Sequence, residues 1–307
     1  MRKYQNEICD MIDFVNDFTV IILTHGRPNN VKTIGTLANC GYTGRVLLAV
    51  DDEDETLLDY VKVHGDMVKV FSKEKIGKTF DKGENFGSQK TITYARNAAF
   101  EIAKAEGFKY FIQLDDDYTS FQWRFNKGRY LPATPSIKSL DNVWAAMLRF
   151  YISVPNCKAL AMAQGGDFIG GKDAGNAKKI SLLRKAMNSF ICSTERPFSF
   201  VGHANEDVNT YTTLGSRGAL FLSSNNVALG QLATQSNEGG ITEFYKKFGT
   251  YVKAFQTVVF QPSSVIISTI GNTKETQRIH HKIKWKHTVP KIIREDIKHG
   301  QRQIPTA

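Results

Sequence analysis

The chain has 307 residues, 41% of them hydrophobic, enough to bury a large core in one or two domains. No apolar run is long enough to cross a bilayer as a helix. Cys9, Cys40, Cys157 and Cys192 are dispersed without CxxC spacing, so neither a disulfide framework nor a zinc ribbon is expected. The net charge of +10 is unevenly spread: residues 271–307 hold nine Lys or Arg against three acids, which points to a polyanionic partner.

The N-terminal MRKYQNEICDMIDFVNDF carries acids where a signal peptide has its apolar segment, so a cytoplasmic protein with no membrane partner is expected. An apolar run at Val20–Leu23 then predicts a buried strand ending in THGRPNN, followed by a helix over Asn30–Asn39 that Gly41 closes. RVLLAV, Arg45–Val50, is a second buried strand and runs into DDEDE. A helix over Thr56–Val63 leads to a third strand in MVKVFSK. A long helical pattern, Thr93–Glu106, precedes a strand at Tyr110–Leu114. Alternation of this kind gives a mostly parallel sheet flanked by helices, with ligands beyond the carboxyl ends of the strands. Thr24–Arg27, Asp51–Asp52 and Asp115–Asp117 all fall at such ends. Further on, KALAMAQ (Lys158–Gln164) reads as a strand and Ile180–Met187 as a helix. GHANEDVNTYTTL reads as a loop running into a helix with Asn205 as its cap, and Ala219–Leu222 and Val258–Gln261 as strands.

GFKYFIQLDDDYTSF places three carboxylates directly after an apolar strand. Side chains alternate along a strand, so Asp115 and Asp117 share a side and are suited to a hard divalent cation that cancels their repulsion. A solvated acidic turn is the plain alternative. Other chemistries lack their marks: there is no GxxxxGK[ST] loop, no GxGxxG after a strand, no HExxH and no GxSxG. A two-metal nuclease would use the same aspartates but would not account for the ARNAA helix.

The order of a strand ending in THGRP, a strand ending at Asp51, ITYARNAAFEIAKAEGFKYFIQLDDDY and NEDV resembles nucleotide-sugar glycosyltransferases of the GT-A fold, over about Val20–Leu214. The fold this implies is α/β, a GT-A-like Rossmann-type sheet. It would occupy residues 1–270, with a nucleotide-sugar half at 18–120, an acceptor half at 121–270 and a basic segment at 271–307. By the resemblance, Thr24, His25, Gly26 and Arg27 lie near uridine and diphosphate, Asp51 near the base or ribose, and Arg96, Asp115 and Asp116 near the nucleotide-sugar. Asp117, with Asp115, ligates Mn²⁺ or Mg²⁺, and His280 or His281 of RIHHKIKW adds a ligand. NEDV supplies the base of an inverting transfer as Asp207 or Glu206. On the residues alone that acidic pair equally suits the first turn of a helix, and Arg96 equally suits a surface ion pair with Glu101 or Asp81.

The basic tail selects among acceptors. The sequence is similar to phage enzymes that move glucose or arabinose from a UDP-sugar to 5-hydroxymethylcytosine in double-stranded DNA, which would place it in the host cytoplasm. Lys282, Lys284 and Lys286 alternate, so an extended segment presents all three to phosphates while Ile283 and Trp285 face the body. Phe168, Phe198, Phe200 and Tyr211 are candidates to stack on an extruded base, though each suits the core as well. A protein or polysaccharide acceptor, or a noncatalytic DNA-binding module on this fold, are the rival readings.

Overall fold

The computed structural model describes residues 13–83, 91–168, 171–173, 180–186, 188–231, 252–271 and 277–289. Strands β1 (Phe18–Leu23), β2 (Val46–Asp51), β3 (Val68–Phe71) and β4 (Tyr110–Asp115) run parallel in the order β3-β2-β1-β4. Beyond β4 the sheet continues through β10 (Ser189–Ser193), β8 (Cys157–Gln164), β11 (Leu220–Gln231) and β5 (Tyr118–Trp123). There β10 is antiparallel to both neighbours, β8 and β11 are parallel to each other, and β5 is antiparallel to β11. Two short strands, β6 (Phe125–Asn126) and β7 (Arg129–Tyr130), form a separate hairpin, and β9 (Ile180–Ser181) pairs with β11.

The central strands are apolar on both faces because both faces are covered. Val20, Ile22, Leu48, Ile112 and Leu114 pack with Leu37 of α1 (Lys32–Asn39), Tyr60 of α2 (Leu57–His64) and Trp144 of α4 (Leu140–Ser153). On the other face Ile21, Leu23, Leu47 and Phe111 meet Tyr94, Ala98, Ala99 and Ile102 of α3 (Thr93–Ala105) and Val208 of α5 (Glu206–Ser216). Each Leu or Ile so buried contributes about 1.5–3 kcal/mol. Alanines on α3 let it lie close to the sheet, which brings its polar residues Arg96 and Asn97 into the interior.

Three sequence expectations change. The helix expected over Ile180–Met187 is absent from its described residues, 180–186: the first two pair with Ser223 and Ser224 of β11, and the Lys185 carbonyl accepts from Ser223 Oγ. Val258–Gln261 is not a strand, since residues 252–260 form a helix, α6. Asn205 precedes α5 but does not cap it with its side chain. At the end of the described chain, β12 (Val265–Ile270) and β13 (Arg278–Ile283) form a hairpin that straddles position 271. Ile283 and Trp285 pack against the second core cluster. The basic residues beyond position 289 lie outside the described residues.

Candidate active site

Parallel strands place their carboxyl ends on one rim, and the register shows how closely: Leu23 of β1 stands opposite Asp115 of β4, and Asp51 of β2 opposite Phe71 of β3. After β1 the chain turns through Gly26, whose φ of +70° falls in the region that glycine adopts without strain. This turn directs the Gly26 N–H to Asp54 Oδ2, at 2.8 Å. Thr24 Oγ1 donates to Asp116 Oδ2 at 2.7 Å and lies equally close to the Tyr60 hydroxyl. Arg27 Nη1 is 3.0 Å from Asp116 Oδ1, and its backbone N–H reaches the Tyr60 hydroxyl. The THGR segment is therefore fastened by its own Thr24 and Arg27 side chains to the acidic turn after β4, the strand beside β1.

His25, Asp51 and Asp54 bring their ligand atoms within 4.8 Å of one another. They do not need a metal to hold together. His25 Nδ1 lies 2.8 Å from Asp51 Oδ2 and 3.2 Å from Asp54 Oδ2, and Lys73 Nζ is 3.2 Å from Asp51 Oδ1. Thr56 donates to Asp54 from both its N–H and its hydroxyl. The hydrogen bond to Asp51 raises the His25 pKa, and His25 in turn helps hold Asp51 low against its burial. Asp54, Tyr60 and Lys73 are absent from the sequence reading; DDEDE hid Asp54 in a run of equivalent acids, and nothing local marks the other two.

The three aspartates after β4 have different surroundings. Asp116 turns to Thr24 and Arg27. Asp115 accepts from Arg96 Nη2 at 3.2 Å, and Arg96 Nε donates to Glu206 Oε1 at 2.9 Å. Arg96 is 1% exposed, so it is a buried bridge between β4 and α5 rather than a surface partner of Glu101 or Asp81. Burial alone would discharge it, but Asp115 and Glu206 outweigh that and hold its pKa up. Burial pushes Asp115 up to about 7 despite Arg96, and it also raises Asp116 and Asp117. Carboxylates held this reluctantly in their charged form, on hard oxygen donors, fit a divalent cation as Mg²⁺ or Mn²⁺.

Asn97 shapes the other wall. Its amide bonds both ways with the Phe200 backbone, at 3.0 and 2.8 Å, while Thr93 Oγ1 donates to the Gly202 carbonyl. The ARNAA helix thus clamps the loop leading to NEDV. Asn205 then adopts a left-handed conformation, φ 55° and ψ 39°, which asparagine tolerates, and starts α5 with Glu206 and Asp207. Glu206 is occupied by Arg96. Asp207 accepts from the Val208 N–H; burial and then Glu206 raise its pKa, and Lys185 opposes this. Burial also lowers the pKa of Lys185 and of Lys253, the latter offset in part by Asp207 and Glu206. Neither lysine was singled out in the sequence.

The rings of His280 and His281 lie with centroids 4.2 Å apart, tilted by 31°. Burial first, then Lys185, lowers His280 to about 4 and His281 to about 3, so both rings are neutral at ordinary pH. They do not gather with Asp115 and Asp117 into a set of mutually close ligand atoms. Lys282, Lys284 and Lys286 are exposed, but the extended segment expected to carry all three ends at Ile283, and Lys286 lies in a 3₁₀ turn over Trp285–His287. The candidate stacking aromatics are core: Phe168, Phe200 and Tyr211 are buried, Phe198 packs with Phe100 and Phe221, and Tyr211 stacks on Trp285. Among the described residues no helix is long and apolar enough to cross a membrane.

Comparison with known proteins gives a match of residues 18–240 to the model of a family described as TET-associated glycosyltransferase. No curated protein matches the chain by sequence. Among solved structures, the chain is similar to glucosyl-3-phosphoglycerate synthase from Mycobacterium tuberculosis in complex with Mg²⁺ and UDP, at 9% identity and a TM-score of 0.43, over 92% of each chain. It is also similar to a mannosyltransferase from Pyrobaculum calidifontis in complex with GDP-mannose and Mn²⁺, at 14% identity and a TM-score of 0.41, over 72% of this chain and 58% of that one.

Proposed function

The chain belongs to the TET-associated glycosyltransferase family, and from that premise we propose that it moves a sugar from a UDP-sugar to the hydroxymethyl group of 5-hydroxymethylcytosine in double-stranded DNA, with inversion at the anomeric carbon. The observation that carries the reading is the Arg96 bridge: one buried guanidinium holds Asp115 on the donor rim and Glu206 beside Asp207, tying the acidic turn to the start of α5.

Thr24, His25, Gly26, Arg27, Asp51, Arg96, Asp115 and Asp116 form the wall against which the nucleotide and sugar are held. Asp117, with Asp115, would hold Mg²⁺ or Mn²⁺, which supplies positive charge to the departing diphosphate. Asp207 is the base, because Glu206 is committed to Arg96 and a carboxylate whose pKa burial has raised takes up a proton more readily. It accepts the proton of the hydroxymethyl O–H as that oxygen bonds to the anomeric carbon and the C1–O bond to UDP breaks, the electron pair leaving with the diphosphate.

A base inside a duplex would not reach a half-buried carboxylate at a helix start, so the cytosine is turned out of the stack. Lys282, Lys284 and Lys286 hold the DNA backbone without reading sequence. The test is release of UDP from UDP-glucose and UDP-arabinose in the presence of Mn²⁺. Turnover stimulated by hydroxymethylated DNA and not by unmodified DNA supports the acceptor; equal turnover with both refutes it.

A further inference from the structure

Asn205 Nδ2 lies 2.9 Å from the Lys253 carbonyl, 2.9 Å from Thr257 Oγ1 and 3.2 Å from His281 Nδ1. A peptide carbonyl only accepts, so the atom facing Lys253 is the amide nitrogen, and the orientation of the Asn205 side chain follows. An amide nitrogen offers two hydrogens, here shared among three neighbours, and no accepting lone pair, so a protonated Nδ1 would meet it hydrogen to hydrogen. The His281 nitrogen that meets it therefore presents a lone pair, and in the neutral ring the proton sits on Nε2. That Nε2 is buried on a side chain 5% exposed and has no hydrogen-bond partner among the described residues. A buried donor left unmatched is costly in the empty protein and suited to an oxygen that a ligand brings.

We propose that His281 is a fixed Nε2–H donor to an oxyanion of the sugar donor's diphosphate, that Asn205 sets its tautomer, and that His281 is not a metal ligand. The proposal rests on the nucleotide-sugar reading above for the identity of the oxyanion. It replaces the assignment of His281 to the metal, because a ring nitrogen that carries a proton has no lone pair to give a cation.

The surrounding charge agrees. Lys185, Lys253 and the ring of His280 face His281, and Arg278 lies near His280 and Lys253. The acids in the neighbourhood are Glu206, which Arg96 engages, Asp207, which acts on both lysines, and Asp167, which acts on Lys185 and is paired with Arg184. A wall with this many cations repels a divalent ion and attracts a diphosphate. Asn205 is a positioning residue here: its left-handed backbone starts α5 and its side chain orients the donor across the gap to β13.

Long-range ¹H–¹⁵N correlation spectra of the full chain read the tautomer directly, with His281 assigned by its loss in His281→Gln. The expected result is a neutral ring protonated on Nε2, moving to Nδ1 in Asn205→Asp, where an acceptor replaces the amide donor. In parallel, Mn²⁺ affinity is measured by electron paramagnetic resonance, and the affinities for UDP and for inorganic pyrophosphate by calorimetry. His281→Ala is expected to weaken UDP and pyrophosphate about tenfold, the usual loss for a hydrogen bond to a charged group, and to leave Mn²⁺ affinity within about twofold. His281→Gln, which offers an amide N–H, is expected to recover most of that loss. A ring protonated on Nδ1 in the unaltered protein, or a tenfold loss of Mn²⁺ affinity in His281→Ala, overturns the proposal. Failure of the unaltered protein to bind UDP refutes the nucleotide-sugar reading instead, while the tautomer and the pyrophosphate measurement still decide the role of His281.

Discussion

Replacing Arg96 by methionine keeps most of the side chain's volume and removes its charge. Two charge-assisted contacts disappear, 2.9 Å to Glu206 and 3.2 Å to Asp115, and two carboxylates are left facing each other in the interior. Removing one partner from a buried network costs about 3–5 kcal/mol, mostly through the charges left behind. At roughly 2 °C per kcal/mol for a chain of this size, Tm should fall by about 6–10 °C at pH 8. The sign of the pH dependence follows from Asp115. Burial already lifts its folded pKa to about 7, and losing Arg96 lifts it further. A carboxyl whose folded pKa exceeds its unfolded one destabilises the protein when ionised, and stability returns as pH falls through the folded value. The deficit of Arg96→Met should therefore shrink at pH 5.5. Urea unfolding at both pH values is the assay, and adding Glu206→Gln should recover part of the loss at pH 8. A deficit below about 1 kcal/mol at pH 8, or one equally large at pH 5.5, would refute the reasoning.

Asp117→Ala should abolish Mn²⁺-dependent transfer without lowering the apo Tm, since a carboxylate with a raised pKa is removed; normal activity in the folded variant would sink the metal assignment. Asp207→Asn should leave the KM for the UDP-sugar nearly unchanged and cut kcat by about a hundredfold or more. If a stably folded Glu206→Gln shows the large kcat loss and Asp207→Asn does not, the base moves by one residue. Changing Lys282, Lys284 and Lys286 together to glutamine should weaken duplex DNA binding and flatten its salt dependence while sparing the KM for the UDP-sugar; titrations at several salt concentrations showing unchanged affinity and slope would remove these lysines from the DNA contact.

The inner parallel strands β1, β2 and β4 were legible because each is a short apolar run that ends in polar residues, and both signals survive burial on two faces. Local pattern misled where tertiary pairing decides. ISLLRKAM has helical spacing, yet Ser181 is taken up by Ser223 on β11. The β-branched pair Val258–Val259 suggests a strand, but residues 252–260 are helical and Val259 is 67% exposed on α6. Local pattern makes Asn205 a helix cap, whereas its amide bridges to residues 48 to 76 positions away. The acidic turn, Arg96 and NEDV were all visible as candidates, but their connection was not: Arg96 and Glu206 are 110 residues apart, and only the docking of α3 on the sheet brings them together.

The measurement that bears most directly on the account is mass spectrometry of nucleosides from hydroxymethylcytosine-containing duplex DNA after incubation with the full chain, a UDP-sugar and Mn²⁺. The predicted result is a hydroxymethylcytidine nucleoside heavier by one sugar residue. It should be lost when Mn²⁺ is chelated, lost in Asp117→Ala, and absent from unmodified cytosine. If the hydroxymethylated nucleoside stays unmodified with both UDP-glucose and UDP-arabinose while the same preparation transfers sugar to a protein or polysaccharide, the DNA acceptor is contradicted.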